Sequence, residues 1–426
     1  MAETYIQPLE REVASSDLGP ADVAVAVTTY NNAATIGAVV RAVEEGLVGS
    51  FPGRRALLLH ADGGSNDGTP AVVAAALADQ SRLVRVSLAS DPVRPAAPGP
   101  PTRAQALRLF FGVARRLGVR GCAFVNPDLT GLEPEAVGRL LLPVLDRGLD
   151  FVGPYYSRPR FAGAITTSIV YPLTRALYGR RMRYPAGGEV ACSARLVDHC
   201  LSLKAWSGEG SRFATDLWLT NRALLGGFRL GQAWVGHRTT AGGGGDGAGS
   251  DLSHVLTSVL GALFSEAERN PQWQRIRGSE PVELFGTPED PVPEAPGVDL
   301  TRSLESFRLG QQHLKEVWDK VLPPMTALEL RKLARRSDAE FRLDDQLWAR
   351  TVYDFLLAYY TRVMSREHLL PAFTPLYLGW LGSFVSELHD ADQARIEQRI
   401  EELCLRFEAE KPYLISRWRS PDRFNP

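Results

Sequence analysis

From residue 22 to residue 129, fully apolar runs alternate with amphipathic ones. DVAVAVTTY (22–30) is an unbroken β-branched and alanine run, the pattern of a strand covered on both faces. After Asn31-Asn32, the stretch ATIGAVVRAVEEGL repeats Ile36, Val39, Val40 and Val43 at helical spacing. RRALLLHAD (54–62) predicts the next strand. TPAVVAAALADQ predicts the next helix, with Thr69 as N-cap and Pro70 in the first turn. RLVRVSLAS, TRAQALRLFFGVARRLG and GCAFVNPDL continue as strand, helix and strand, the last ending on Asp128. Such alternation builds a mostly parallel sheet between helical layers, with ligands at the carboxyl ends of its strands. Thr29, Tyr30, Asp62 and Asp128 all fall at such ends.

The rhythm weakens after residue 150. DFVGPYYSRPR predicts a strand and turn. ITTSIVYPLTRALYG predicts helix on either side of Pro172, and GGFRLGQAWVGHR a strand ending at His237. TTAGGGGDGAGSD (239–251) predicts a loop able to close over a ligand, 252–268 a helix, and the Pro- and acid-rich 278–299 a linker. Helical periodicity then runs from 300 to about 416. The expected organisation is a tail (1–20), an α/β domain (21–245), a loop, helix and linker (246–299) and a helical region (300–426).

Composition narrows the functional classes. The net charge of -1 provides no field for nucleic acid. Four cysteines without C-x-x-C spacing predict free thiols in a reducing cytoplasm. The N-terminal stretch has no apolar signal core. LLPAFTPLYLGWLGSFVS (369–386) is uncharged, but Pro371, Pro375, Gly379 and Gly382 interrupt it, so a buried helix or helix pair is expected rather than a membrane span.

Five stretches could carry chemistry. In HADGGSNDGT, Asp62 suits hydrogen bonds from a base or ribose; the plain alternative is a helix-capping turn. Asp128 in FVNPDL suits a hard divalent ion, and His237 in WVGHR is a candidate second ligand. In PAGGEVA, Gly187 and Gly188 would let the backbone approach a ligand, with Glu189 beside them; a turn opening a helix is the alternative. Asp216 in ATDLWL is placed at a helix start, where N-capping is its alternative. GGGGDGAGS lacks the Gly-Lys-Ser/Thr of a phosphate loop.

Taken in order, these motifs resemble glycosyltransferases of the GT-A fold. More narrowly, they resemble the retaining enzymes that make glucosyl-3-phosphoglycerate, glucosylglycerate and mannosylglycerate. The resemblance spans about 21–240 and 345–390, the latter through WARTVYDFLLAYYTR and FTPLYLGWLGSFVSE. It implies a Rossmann-like α/β domain followed by a mainly helical region. It implies transfer of glucose or mannose from a UDP- or GDP-linked donor to a small hydroxy acid such as glycerate or 3-phosphoglycerate. Thr28, Thr29, Tyr30, Asn32, Asp62, Arg103 and Asn126 would bind the nucleotide. Asp128 and His237 would hold Mg²⁺ or Mn²⁺. Gly187, Gly188 and Glu189 would line the sugar pocket, Thr166 and Thr167 would meet the acceptor, and Asp216 would steady the reacting sugar. Two positions depart from the family pattern: Asn126 stands for the first acid of the metal motif, and Arg103 for a lysine. A homodimer is the default assembly.

Two other readings stand beside this one. An inverting family-2 transferase would use Asp216 as general base, although its Gln-x-x-Arg-Trp motif fails at Ile276. A degenerate nucleotide-binding scaffold would follow from the Asn126 and Arg103 changes. A redox dinucleotide enzyme is not expected, because TTYNNAAT follows the first strand where a glycine fingerprint would stand.

Overall fold

The computed structural model describes residues 19–77, 82–85, 102–129, 131–203, 212–238, 252–289 and 298–420. They divide by internal contact into two units, the first from 19–157, 182–238 and 282–289, the second from 158–181, 252–281 and 298–420. The loop predicted at 239–251 lies outside the described residues, as does nearly all of the predicted N-terminal tail.

The first unit is α/β. In chain order it runs β1 (Val23–Thr29), α1 (Ala33–Ser50), β2 (Ala56–Asp62), α2 (Thr69–Ala76), β3 (Leu83–Arg85), α3 (Arg103–Arg116), β4 (Gly121–Val125), α4 (Pro134–Arg147), β5 (Phe151–Ser157), β6 (Val190–Ser193), α5 (Ala194–Ser202), α6 (Arg212–Leu225), β7 (Leu230–His237) and β8 (Glu283–Phe285). The eight strands form one sheet in the order β8-β7-β5-β6-β4-β1-β2-β3. Every pairing is parallel except those of β6 with β4 and with β5.

The unbroken apolar runs follow from burial on both faces. Val23, Val25 and Val27 pack with Ile36, Val40, Val137 and Leu140 of α1 and α4. Ala24 and Ala26 face the other way, with Leu107, Phe110, Leu196 and Trp218 of α3, α5 and α6. Each fully buried valine contributes roughly 1.5–3 kcal/mol. The parallel register of β1 and β2 ends with Thr29 opposite Asp62, so the two loops that follow start side by side. Helix α3 opens with a capping box between Thr102 and Gln105, a T-x-x-Q signature legible in the sequence.

Several expectations need correction. Strand β4 stops at Val125, so Asp128 sits in the following turn. Helix α2 starts at Thr69, with Gly68 at the N-cap in the left-handed region (φ 85°). Glu189 precedes a strand, not a helix, and Asp216 lies in the second turn of α6, where N-capping is not its role. The segment predicted as a linker supplies β8 to the sheet.

The second unit is mainly helical. A π-helical turn at Thr166–Val170 continues into the helix Tyr171–Tyr178. The apolar stretch Arg366–Glu387 is long and apolar enough to cross a membrane, yet 72% of its most apolar window is buried. It breaks into the helix Arg366–Leu369, a short 3₁₀ turn and the helix Thr374–Glu387. There Gly379 and Gly382 pack against Phe307 and Leu304. Lys411 is buried, its Nζ donating to the carbonyls of Ala176 (2.6 Å) and Ile276 (3.0 Å). The fully buried Arg175 pairs with Glu401 and Glu408. All four cysteines are buried free thiols, as expected, and burial pushes Cys122 up to about 12.

Two predictions follow from this packing. A methyl group on Gly46 would lie 2.8 Å from Val137 Cβ, where α1 and α4 touch, and would also strike the Pro134 carbonyl. Gly46→Ala should therefore cost about 1–3 kcal/mol by overpacking. Gly49, with open space around it, should instead gain about 0.5–1 kcal/mol on becoming alanine. Urea unfolding of both variants separates the effects; equal shifts would show that the helix contact is not tight.

In the second unit, burial pushes Asp354 from an ordinary 3.8 to about 7, against the opposing pull of Arg417 and Tyr413. Between about pH 4 and 7 the folded chain then holds a proton that the unfolded chain has released. Stability should fall as pH rises through that window. Asp354→Asn should flatten the slope, and a parent protein whose melting temperature does not change across it would refute the assignment.

Candidate functional site

The loops after β1, β2 and β4 meet at Asn32. Its backbone N–H donates to Thr69 Oγ1 (2.9 Å), its Oδ1 accepts from the Tyr30 N–H (2.7 Å), and its Nδ2 donates to Asp128 Oδ1 (2.8 Å). Asn31, in the left-handed region at φ 55°, accepts from the Asn66 N–H (3.0 Å), and Ser65 Oγ accepts from the Asn31 N–H (2.8 Å). Thr69, expected as an N-cap, ties the two loops together: it donates to Asp67 Oδ1 while accepting from Asn32. Tyr30 is left exposed at this edge. Thr28, opposite Ala61 at the end of β1, is partly exposed.

Asp62 is the acceptor at the centre of its own loop. Oδ1 takes hydrogens from Thr29 (2.7 Å) and Ser65 Oγ (2.6 Å), and Oδ2 from the N–H groups of Gly64 (3.0 Å) and Ser65 (2.8 Å). Burial pulls its pKa up, but these hydrogen bonds outweigh it and hold the carboxyl below its usual range. The single hydroxyl hydrogen of Thr29 goes to Asp62, so His60 Nε2, 2.9 Å from Thr29 Oγ1, is the donor there. Asp62 thus shapes the turn whether or not it also meets a ligand.

A second cluster lies deeper in the unit. Glu189 is fully buried (0% exposed) and accepts from Asn126 Nδ2 and Tyr156 OH, with Arg238 3.5 Å away. Arg238 also stacks over the Tyr156 ring. Arg103 donates to Asp216 Oδ1 (3.0 Å) and to the Gly188 carbonyl (2.6 Å). The side chains of that ion pair are 7% and 2% exposed. Arg103 and Asn126, expected to face a nucleotide, are thereby engaged inside the protein. The two glycines are needed for a similar reason: a Cβ on Gly188 would strike the Asn126 amide, and one on Gly187 would strike Pro154. Their close approach is to neighbouring side chains.

Asp128 and His237 sit on segments that cross. The chain just after Asp128 pairs with β7 through a Leu132–Gly236 bridge. Added methyl groups on Gly131 or Gly236 would strike the backbone of His237 or Gly131 respectively. Asp128 is held by Asn32 and, at 3.3 Å, by Thr35. His237 Nε2 is 3.4 Å from Glu289 Oε2, and its buried Nδ1 has no hydrogen-bond partner among the described residues. A carboxylate and an imidazole with an orphaned nitrogen fit a hard divalent ion such as Mg²⁺ or Mn²⁺. Among the described residues no group of three His, Cys, Asp or Glu side chains converges to cage an ion alone. Thr166 and Thr167 belong to the second unit, where Thr167 Oγ1 donates to the Ala164 carbonyl (3.1 Å).

Sequence reasoning missed Tyr156, Arg238 and Glu289. Arg238 stood in the quoted GHR motif; Glu289 was hidden in the predicted linker.

No family model matches the chain, and no curated protein matches it. Similar solved structures include Mycobacterium tuberculosis glucosyl-3-phosphoglycerate synthase, 22% identical over 62% of this chain and 84% of that chain, TM-score 0.42. The same enzyme in complex with Mg²⁺ and uridine diphosphate is 22% identical over 62% and 83%, TM-score 0.43. Its complex with phosphoglyceric acid is 24% identical over 61% and 83%, TM-score 0.42. These superpositions are loose and leave the site to be read from its own side chains.

The buried Arg103–Asp216 pair generates a prediction. Asp216→Ala leaves a guanidinium buried without its counter-charge and should cost about 3–5 kcal/mol. The double variant Arg103→Met/Asp216→Leu should recover most of that loss. A double-mutant cycle by chemical denaturation reads the coupling; additive losses would show that the two side chains act independently.

Proposed function

We propose that this chain is a GT-A glycosyltransferase. It moves glucose or mannose from a nucleoside diphosphate sugar to a small hydroxy acid such as glycerate or 3-phosphoglycerate, with retention. The observation that carries this reading is the junction at Asn32, which joins the Asp62 loop to Asp128 at the carboxyl end of the sheet. Nucleotides bind α/β sheets at that end, and the ordered motifs of the sequence support the same assignment.

In this reading Tyr30 offers the base an exposed ring, while Thr28, Thr29 and Asp62 line the ribose and base edge. Asp128 and His237 would hold Mg²⁺ or Mn²⁺, which when bound offsets the negative charge of the departing diphosphate. Gly187, Gly188 and Glu189 form the wall behind the sugar, braced by Asn126, Tyr156 and Arg238. Arg103 braces Asp216, where a direct contact to phosphate had been expected. The acceptor role of Thr166 and Thr167, which belong to the second unit, rests on the resemblance alone.

The geometry at Asp216 favours retention over inversion. A general base needs a lone pair open to the acceptor hydroxyl. Asp216 is buried, and the Arg103 Nε–H already holds one of its carboxylate oxygens, Oδ1, at 3.0 Å. The scaffold reading draws on the two departures from the family pattern: Asn126 and Arg103 are both tied into buried contacts.

The test is a panel of UDP- and GDP-linked glucose and mannose with glycerate and 3-phosphoglycerate, with Mg²⁺ or Mn²⁺ and with EDTA. Turnover should need the cation, and NMR of the product should show the donor's anomeric configuration. Asp62→Ala should weaken donor binding by about 1.5–3 kcal/mol, the loss of a charge-assisted hydrogen bond. Full activity in EDTA would remove the Asp128–His237 assignment. An inverted product would remove retention, and donor binding without turnover of any pair would favour the scaffold.

A further inference from the structure

We propose that Glu289 is a positioning residue for His237. Its carboxylate accepts the Nε2 hydrogen, so that Nδ1 carries the lone pair offered to a divalent cation. The inference deepens the cation site of the proposed function and rests on that reading.

Three observations converge on it. First, the parallel register of β7 and β8 runs from Gly231–Glu283 to Ala233–Phe285, and the same offset carried past Phe285 brings Glu289 against His237. Second, Glu289 is anchored by its own backbone. Ser157 Oγ donates to its carbonyl at 2.6 Å and accepts from Trp234 Nε1 at 3.1 Å. The carboxylate is therefore delivered to His237 by the sheet itself, although its side chain remains 65% exposed. Third, the imidazole is divided. Nε2 faces Glu289 Oε2 at 3.4 Å, while Nδ1 is buried with no hydrogen-bond partner among the described residues. Trp234 packs edge-on against the ring at 6.0 Å between centroids.

A neutral imidazole has one N–H and one lone pair. A carboxylate can only accept, so a neutral ring meets Glu289 with its Nε2 hydrogen. The lone pair then falls on the nitrogen that lacks a partner. An outer carboxylate that fixes the tautomer and orientation of a histidine ligand raises its basicity toward the metal.

The experiment uses the whole chain without nucleotide, in the parent and in Glu289→Ala and Glu289→Gln. At pH 8 without metal, long-range ¹H–¹⁵N spectra of the histidines report the His237 tautomer. Manganese titration followed by electron paramagnetic resonance then reports affinity. The parent should hold the Nε2–H form. Glu289→Gln, whose amide oxygen still accepts, should keep that form and bind Mn²⁺ within a few-fold of the parent. Glu289→Ala should lose the tautomer preference and bind about 10–100-fold more weakly, the usual range for removing such a partner. Equal losses in Gln and Ala would make Glu289 a direct charged ligand and overturn the proposal. So would unchanged affinity in both, or an Nδ1–H ring in the parent. A parent that takes up no Mn²⁺ removes the cation site of the proposed function; the tautomer spectra still decide whether Glu289 sets the ring.

Discussion

Asn32 is the interaction on which the rest of the site depends. Its N–H, its side-chain oxygen and its side-chain nitrogen each reach a different partner: Thr69 after β2, Tyr30 after β1, and Asp128 after β4. Its carbonyl receives the N–H of Ile36 and starts α1. Three strand ends and one helix start are registered by a single short side chain and its peptide group. The parallel sheet makes this possible, because Thr29 and Asp62 finish in register. A shift of one residue between β1 and β2 would turn every side chain to the opposite face and separate the loops that Asn32 joins.

Behind that edge, charge is buried, and buried charge must be paired. Glu189 and Asp216 lie almost wholly out of water, and each is met by an arginine. Such pairs add little net stability, because desolvation offsets their attraction, but breaking one is costly. Their effect here is geometric. Arg103 on α3 reaches both Asp216 on α6 and the carbonyl just before Glu189. The Asn126 amide after β4 reaches Glu189. The contacts around Glu189 and Asp216 are expensive to remove, while the Asp62 and Asn32 loops are held by hydrogen bonds between side chains and backbone N–H groups and between one side chain and another.

Much of the α/β unit was legible in the sequence for a simple reason. A strand covered on both faces must be apolar throughout, and DVAVAVTTY and RRALLLHAD admit few other readings. Asp62, Asp128 and His237 were visible because each interrupts such a run near its end. What was hidden depends on long-range pairing. Nothing local links Arg103 to Asp216 or Asn126 to Glu189. Strand β8 escaped detection because three residues, Glu283 to Phe285, flanked by Pro281 and Gly286, cannot show periodicity at the edge of a sheet. Glu289 was lost with it, since only the β7–β8 register brings it to His237. The helical region at 300–416 was legible by period alone, but the π-helical turn at Thr166–Val170 leaves no such mark.

Gly187 and Gly188 have a packing requirement that the sequence does not reveal. Gly187 and Gly188 invite the idea of a backbone bared for a ligand, since glycine permits close approach. In the folded unit the approach is already taken, by Pro154 and the Asn126 amide. Gly131 and Gly236 obey the same rule where the segment after Asp128 crosses the end of β7. At both places two chain segments come closer than any Cβ permits, and a side chain with chemistry stands next to the crossing: Glu189 at one, His237 at the other. The close crossings fix where those side chains begin.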